Sequence, residues 1–305
     1  TYTENQLFSP EISTTTGYSK LYVNAGKVTN KGIELALGFK QNIGPVDWKT
    51  TLLWSLNRNR IDQLLPEYTN EELGVTVHLD EMDVYSLGGA KQRLTVGGSM
   101  GDVYVNTMRT DEHGHIWMNS MTGTLETDKN NYVYAGNTNP KYTLSWRNEF
   151  NWKGISLGFM LNARVGGIGV SATQAVMDYY GVSKTSAEAR DNGGVKVNGQ
   201  MIDAQTWYQT IGANGTGYVG SMYVYSMTNV RLGELTLGYD IPINKWCKWI
   251  SGLNVSFVGR NLWMLYCKAP FDPESTASTG TYNQGMDYFM QPSLRSMGFS
   301  AKISF

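Results

Sequence analysis

The sequence predicts an all-β fold built from about nine antiparallel strands of the kind that cross a membrane in a β-barrel. Three observations predict it. Apolar and polar residues alternate over strands of about 11 residues, against about 5–6 for an ordinary strand and 9–11 for one that crosses a bilayer. The apolar faces carry bulky aromatic residues and the polar faces carry charges. Short turns alternate with long polar loops along the chain, as they do in membrane barrels.

The clearest strands form a hairpin within residues 141–165. Apolar residues from Tyr142 to Phe150 alternate with polar ones, Trp152-Lys153-Gly154 interrupts, and the alternation resumes at Ile155. Because successive side chains of a strand point to opposite faces, each strand has one apolar and one polar face. So short an interruption predicts a tight hairpin turn.

The other strands follow the same pattern. They are expected at 31–41, 46–56, 93–96, 103–110, 222–239, 253–265 and 293–305. In the 222–239 strand the apolar phase changes at Gly233-Glu234, which predicts a β-bulge, since a bulge inserts one residue. Two short helices are expected at 171–180 and 204–209.

The connections predict the topology. Short turns are expected at 42–45, 97–101, 152–154 and 240–249, and long loops at 1–29, 57–92, 111–140, 166–221 and 268–291. This alternation would place all short turns at one rim of the wall and all long loops at the other. Tryptophans beside the short turns are typical of an aromatic girdle at a membrane interface, and they are Trp48, Trp152, Trp246 and Trp249.

Composition narrows the function. The 305 residues carry a net charge of −1, which argues against nucleic acid as a partner because phosphate binding needs excess cations. The sequence contains no run of about 18 apolar residues, so it predicts no transmembrane helix. Cys247 and Cys267 are expected at opposite ends of one strand. They would be too far apart to form a disulfide, so both are predicted to be free thiols.

Four stretches, in order along the chain, resemble one protein family. They are Asn30-Lys31-Gly32-Ile33-Glu34-Leu35, Asn137-Thr138-Asn139-Pro140-Lys141-Tyr142, Val230-Arg231-Leu232-Gly233-Glu234-Leu235-Thr236-Leu237-Gly238-Tyr239, and Gly259-Arg260-Asn261-Leu262 leading to Phe271-Asp272-Pro273-Glu274. The chain resembles the C-terminal part of the SusC-like class of TonB-dependent outer-membrane transporters.

This resemblance implies that residues 1–305 belong to the C-terminal segment of a 22-stranded transmembrane β-barrel, with 1–29 an extracellular loop region and 30–305 strands and loops. It also implies a plug domain, expected outside this chain, that contacts the TonB complex. A SusD-like surface lipoprotein would cap the barrel. Two such transporter–lipoprotein pairs would form a dimer. Membrane lipid would surround the wall. The terminal Phe305 resembles the final aromatic residue of barrel proteins.

Candidate chemistry in the loops is weak. His113-Gly114-His115 lacks the further ligands of a metal site, and His78 is isolated. Without a Gly-x-Ser-x-Gly elbow there is no sign of a hydrolase, so no catalytic residue and no cofactor are expected. Asp272-Pro273-Glu274 is interpreted as a turn, because two carboxylates fall short of a calcium site. Gly166-Gly167-Ile168-Gly169 is interpreted as the point where the chain leaves the wall.

The loop aromatics are the candidate substrate contacts. Flat rings with polar edges suit stacking on sugars or packing on a partner protein, although large loops also need cores of their own. The candidates are Trp117, Tyr179, Tyr180, Trp207, Tyr208 and Tyr218, with Tyr132, Tyr134 and Tyr282 in the same loops.

The polar face of the strands carries charges of both signs, which fits contact with a plug better than an ion-selective pore. These residues are Glu34, Lys40, Lys49, Arg147, Glu149, Arg164, Arg260 and Lys302. The main hypothesis is therefore part of an active importer of glycans or peptides. The alternatives are a passive porin-like barrel and, less favoured, a secreted β-rich glycan-binding protein.

Overall fold

A computed structural model describes residues 1–5, 7–8, 22–71, 74–119, 121, 124–213, 217–243, 246, 249–275 and 283–304. The expectations for Cys247, Tyr282 and Phe305 lie outside these residues. The strands are β1 Tyr2–Glu4, β2 Leu7–Phe8, β3 Val23–Asn24, β4 Lys27–Ile43, β5 Val46–Gln63, β6 Leu65–Asn70, β7 Val75–Leu79, β8 Glu81–Leu87, β9 Ala90–Thr95, β10 Asp102–Met108, β11 Thr127–Asn137, β12 Tyr142–Trp152, β13 Ile155–Val165, β14 Ile168–Ser171, β15 Val195–Val197, β16 Gln200–Ile202, β17 Val224–Ser226, β18 Asn229–Ile241, β19 Gly252–Cys267, β20 Met286–Asp287 and β21 Ser296–Ser304. The helices are α1 Ala172–Tyr179, α2 Lys184–Asp191, α3 Ala204–Ile211 and a 3₁₀ helix at Gly220–Tyr223.

One long antiparallel sheet, here called the wall, dominates the fold. Its strand order is β1-β4-β5-β12-β13-β18-β19-β21, so each strand pairs with the wall strand that precedes it in the chain. The hairpin prediction is confirmed, with Tyr142 opposite Val165 at one end and Trp152 opposite Ile155 at the other. None of the described helices has the length and apolar character needed to cross a membrane.

Tight turns connect the wall strands at one rim. Lys153 and Gly154 have φ values of +46° and +85°, and two positive φ angles are what a type I′ hairpin turn requires. Gly44, at φ +60°, fills the first central position of the β4–β5 turn, which a type II′ turn reserves for glycine. These turns fix the strand register, and with it the face on which each side chain lies.

The apolar face of the wall is exposed. Ile33 is 60% exposed and Phe299 is 85% exposed, while Leu144 and Phe159 are half-buried within the sheet surface. The register aligns apolar residues in rows across the strands, and one such row is Trp48, Phe150, Leu157, Leu237, Phe257 and Phe299. Within the described residues, no second layer of protein covers these rows.

The opposite face of the wall carries paired charges. Glu149 on β12 accepts from Arg147 at 2.7 Å and lies 3.9 Å from Lys49 on β5. Glu234 on β18 lies 3.8 Å from both Arg147 and Arg260. The predicted charged face therefore carries a band of alternating sign from β5 to β19, with charges on four of these five strands.

Two predicted wall strands are placed elsewhere. The strands expected at 93–96 and 103–110 as parts of the wall are β9 and β10. They belong to a separate sheet of order β11-β10-β9-β8, so β5 pairs directly with β12 in the wall. The expected short turn at 97–101 is therefore not at the rim of short turns. Seven of the predicted strands belong to the wall, and β1 brings its described strands to eight. The physical reason is that alternation shows that a segment is a strand but not which sheet it joins.

Other local expectations were also corrected. Tyr2–Glu4 pairs with β4, so it is not loop as expected for 1–29. The expected 222–239 strand is divided between the 3₁₀ helix, β17 and β18. The bulge at Gly233 is confirmed, because the register with β13 shifts between Leu232 and Glu234. α1 and α3 confirm the two predicted helices, and α2 was not predicted.

The described residues of the connections 64–141, 166–228 and 268–295 leave the wall at its other rim and pack together as the loop domain. Its core joins residues of all three connections, including Val105, Val170, Tyr218 and Met286. The core residues are buried Ala90, Val103, Val105, Met108, Leu125, Val170, Ala172, Ala175, Val197, Trp207, Ile211, Ala213, Tyr218, Val219, Tyr223 and Met286. The long loops are thus folded structures, which is why they can present fixed surfaces.

Candidate functional site

A cavity of about 1000 Å³ lies where the wall meets the loop domain. The β5–β12 ladder ends with Ser55 opposite Thr143. Further along β5, Ile61 donates to the Gly98 carbonyl and accepts from the Gly97 amide, both at 2.8 Å. Between these points β5 has no paired strand on this side, and residues of 97–102 and 136–143 line the cavity instead.

Two polar side chains organise this cavity. Asn59 of β5 donates to Asn30 of β4 at 2.9 Å and accepts from the Met100 amide at 2.8 Å. Asp102 accepts from the Ser99 amide at 2.8 Å and from the Asn137 side chain at 2.7 Å. Burial, together with the charge of Asp102, raises the pKa of the Tyr134 hydroxyl beside it. These bonds hold the 97–102 turn against the wall.

A buried ion pair joins the wall to the last long connection. Nη2 of Arg231 donates to Oδ1 of Asp272 at 2.7 Å, and the two side chains are only 5% and 9% exposed. Arg231 also donates to Asn261 at 3.0 Å and to Ser293 at 3.1 Å. Burial would raise the pKa of Asp272, but hydrogen bonds from Ser293, Glu274 and Arg231 lower it to about 2. The predicted turn is present, with the Ser275 amide donating to the Asp272 carbonyl at 3.1 Å.

The chain leaves the wall at Gly166-Gly167, as predicted. Both residues have φ near +82°, and a side chain on Gly167 would approach the Thr138 carbonyl to 2.8 Å. The same carbonyl accepts from Arg164 at 2.7 Å. The 137–142 stretch therefore contacts both the end of β13 and the 97–102 turn.

Two of the six candidate aromatics lie in the core of the loop domain. Tyr218 is fully buried and donates its hydroxyl to the Leu87 carbonyl at 2.7 Å, and burial raises its pKa strongly. Trp207 is buried on the inner side of α3. Neither ring has a free face for a ligand in this arrangement, so both serve the loop core.

Three candidates meet at a second cavity, of about 310 Å³. Tyr179, Tyr180 and Tyr208 line it, with Arg190 and Gln205 as polar neighbours. The rings of Tyr179 and Tyr180 meet edge to face with centroids 5.2 Å apart, and Tyr180 is 56% exposed. The cavity thus offers aromatic surface beside a guanidinium, with Tyr179 and Tyr208 on helices and Tyr180 directly after α1.

The remaining candidate, Trp117, lies apart from that cavity. Its exposed ring packs under the Arg109 guanidinium at 4.8 Å, and it lines a separate open pocket with Asp111 and His115. Asp111 accepts from the His113 and His115 amides at 2.9 and 2.8 Å, and these bonds lower the pKa of its carboxyl. The two histidines therefore belong to a turn built on Asp111. Tyr132 and Tyr134 lie nearby in β11, where Lys91 covers the Tyr132 ring at 4.3 Å.

Several of these residues were not singled out from the sequence. Glu234 follows the bulge, and counting the bulge would have placed it on the charged face. Asn59 and Arg190 left no local signal. Asn59 depends on Asn30 and Met100, which are 29 and 41 residues away, and Arg190 depends on the arrangement of α1, α2 and α3.

Comparison with known sequences gives relatives along almost the whole chain. TonB-dependent receptor P3 of Formosa agariphila is 23% identical over 99% of this chain and 31% of its own length. TonB-dependent receptor P26 of the same bacterium is 22% identical over 99% of this chain and 32% of its own. The chain spans about a third of the length of the curated relatives it matches. No protein-family model matches it.

Solved structures share the fold. The RagAB peptide transporter superposes with a TM-score of 0.67 at 14% identity, over 98% of this chain and 31% of the other. The RagAB peptide importer in its open-open state gives a TM-score of 0.63 at 16% identity, over 100% of this chain and 32% of the other. These comparisons confirm the resemblance predicted from the four stretches and the outer-membrane location, and relatives that are receptors agree with a chain that is not an enzyme.

Proposed function

Because the chain resembles the SusC-like TonB-dependent receptors in its motifs, along its whole length and in its fold, we propose that it forms part of the wall and extracellular loops of an active importer. The wall would belong to a 22-stranded barrel whose lumen holds a plug. The TonB complex would supply energy through that plug. The observation that carries the proposal is a wall with one exposed apolar face and one charged face, topped by loops with their own core.

The charge band supports a plugged rather than an open lumen. Lys49, Glu149, Arg147, Glu234 and Arg260 alternate in sign across the wall. A band of three cations and two anions gives little selection among ions, but it can exchange hydrogen bonds with a polar protein surface. In a passive porin, the alternative function, a wide pore would leave these charges solvated instead of bound to a plug.

We propose a peptide as the cargo, with a glycan as the competing choice. The solved structures that share the fold are of RagAB, which is named a peptide transporter and a peptide importer. The cavity of Tyr179, Tyr180 and Tyr208 beside Arg190 fits a peptide that carries an aromatic or acidic group. Trp117 would offer a further contact. A SusD-like lipoprotein would seat on the loop domain as a lid, and two such pairs would associate.

Uptake in cells tests this function. A strain that lacks the full-length receptor would be complemented with it, and entry of fluorescent oligopeptides and of fluorescent oligosaccharides would be measured with and without a protonophore. We expect peptide uptake that the protonophore and the loss of TonB both abolish. Uptake that is insensitive to both would establish a passive pore. Uptake of oligosaccharides alone would mean that the cargo is a glycan and not a peptide. Co-purification of a lipoprotein with the receptor tests the lid.

A further inference from the structure

Two cations face each other directly on the apolar side of the wall. Lys31 of β4 lies opposite Arg58 of β5 in the register. Both are two residues from Ile33 and Leu56, which form the next pair on the same face of the two strands. Lys31 and Arg58 therefore extend from the apolar face. Like charges directly opposite each other destabilise a strand pair, which favours the presence of a compensating anion.

The described residues of this chain supply little compensation. Within the described part of the chain, neither Lys31 nor Arg58 forms an ion pair, and both are exposed. Arg60, two residues further along β5, lies 3.8 Å from Asp62, which also accepts from Thr29. The loop-side ends of β4 and β5 therefore have a surplus of two positive charges, from the cations Lys31, Arg58 and Arg60 and the single anion Asp62.

The depth of this pair matches a lipid head group. From Ile33 opposite Leu56 down to Ile43 opposite Val46 the apolar face runs over 10 residue steps. At about 3.4 Å per residue and a tilt of about 45°, this run is roughly 24 Å tall, close to the ~25 Å apolar band of outer-membrane barrels. Lys31 and Arg58 are the first pair beyond that band, on the side of the long loops.

Aromatic residues lie near the loop-side end of the apolar band. Trp54, four residues before Arg58 in β5, lies opposite Leu35, and its ring centroid is 6.4 Å from that of Tyr142. Trp and Tyr gather where acyl chains meet head groups. The cations thus stand where phosphate groups of lipids would lie if the apolar rows contact hydrocarbon.

We propose that Lys31 and Arg58 bind the phosphate of an anionic lipid in the loop-side leaflet, with its acyl chains along the apolar rows below. The proposal rests on the membrane placement of the wall argued above. The guanidinium of Arg58 can donate two parallel hydrogen bonds to a phosphate, and the Lys31 ammonium adds a point charge. Bound phosphate would remove the repulsion between the two cations.

The chain contains a matched control. Lys40 and Lys49 also lie directly opposite each other in β4 and β5. They are on the charged face, and Glu149 lies 3.9 Å from Lys49. Removing this pair deletes the same charge from the same two strands without touching the proposed lipid site.

Native mass spectrometry of the full-length receptor tests the site. Delipidated receptor would be titrated with lipid A, with phosphatidylglycerol and with phosphatidylcholine in mixed micelles, and retained lipid counted. The variants are K31Q/R58Q and K40Q/K49Q. We expect K31Q/R58Q to raise the half-saturating anionic lipid concentration about 30-fold, because each cation near anionic lipid contributes roughly fivefold, and K40Q/K49Q to leave it unchanged.

Each of the following results would overturn the inference. Equal loss in both variants would mean a general charge effect, and equal retention of phosphatidylcholine would mean that phosphate charge is not recognised. Displacement of lipid by excess inorganic phosphate alone would assign a free-anion site instead. Receptor that fails to insert into bilayers would overturn the membrane placement as well, whereas an inserted receptor with no difference between variants overturns this site only.

Discussion

The guanidinium of Arg231 and the carboxylate of Asp272 meet at 2.7 Å in a place that is almost closed to solvent. Arg231 lies in β18, Asn261, which accepts from it, lies in β19, and Asp272 lies in the connection that follows. Three separate stretches of the sequence thus converge on one joint. This joint ties the 268–295 connection to the wall and so positions part of the loop domain.

Removing the charge of Asp272 should open that connection. Asp272→Asn leaves the buried Arg231 charge with only Glu274, 3.3 Å from its Nε, as a partner. Breaking a buried ion pair costs about 3–5 kcal/mol, and the remaining partner favours the lower end. We expect proteolysis of 268–295 in the detergent-solubilised receptor to rise about 100-fold or more.

Glu274→Gln is the matched control for this variant. Its carboxylate is 37% exposed, so we expect a cost below about 1 kcal/mol. Equal protease sensitivity of the two variants would contradict the assignment of Asp272 as the main partner.

The same joint should depend on pH. The folded pKa of Asp272 is lowered to about 2, against about 3.9 in an unfolded chain. A lowered folded pKa contributes stability that is complete above about pH 4 and is lost as the pH falls from about 4 towards 2. Pepsin cleavage of 268–295 should therefore rise across that window, and the rise should be absent in Asp272→Asn, which lacks the titrating group. An identical pH profile in both proteins would refute the prediction.

A side chain at Gly89 should disrupt the loop core. An added Cβ would lie 2.0 Å from the Tyr218 carbonyl oxygen and 2.6 Å from the Gly220 amide nitrogen, both backbone atoms that cannot turn aside. We expect Gly89→Ala to destabilise the loop domain by about 1–3 kcal/mol or more, measured as faster hydrogen exchange in β10 and α3. Gly38→Ala in the wall meets nothing within 4 Å and should leave exchange unchanged. Slow exchange in both would mean that the two connections do not interlock at Gly89.

The candidate aromatics should separate into two classes. Trp207→Ala removes a buried ring and should cost the loop domain about 3–5 kcal/mol, seen as protease sensitivity. Tyr180→Ala removes a largely exposed ring beside Tyr179 and should lower peptide affinity about three- to tenfold with protease resistance unchanged.

Tyr180→Phe separates stacking from hydrogen bonding. The ring remains, so we expect affinity near that of the parent receptor in fluorescence titration with the imported peptide. Affinity unaffected by Tyr180→Ala would remove this cavity from the proposed cargo path.

Most of the wall could be predicted from sequence because its signal is local. Alternation located the 141–165 hairpin, and the phase change at Gly233 located the bulge, since each depends only on neighbouring residues. The assignment of 93–110 to the wall failed for the same reason, because a strand in the loop domain alternates just as a wall strand does.

The loop aromatics show the other limit. Tyr180 and Tyr218 look alike in sequence, as tyrosines in long polar connections. One is largely exposed and the other fully buried, because burial depends on how 64–141 and 166–228 pack against each other. Residue type alone carries no information about that packing.

By itself the sequence determined the two-faced strands, the rim of tight turns and the family resemblance, because strand periodicity and turn chemistry are written in adjacent residues. Only the tertiary structure decided that the long connections form one folded domain, that Arg231, Asn261 and Asp272 share one joint, and that Lys31 faces Arg58. These relationships join residues 27 to 41 positions apart, and strand register and loop packing bring them together where sequence proximity does not.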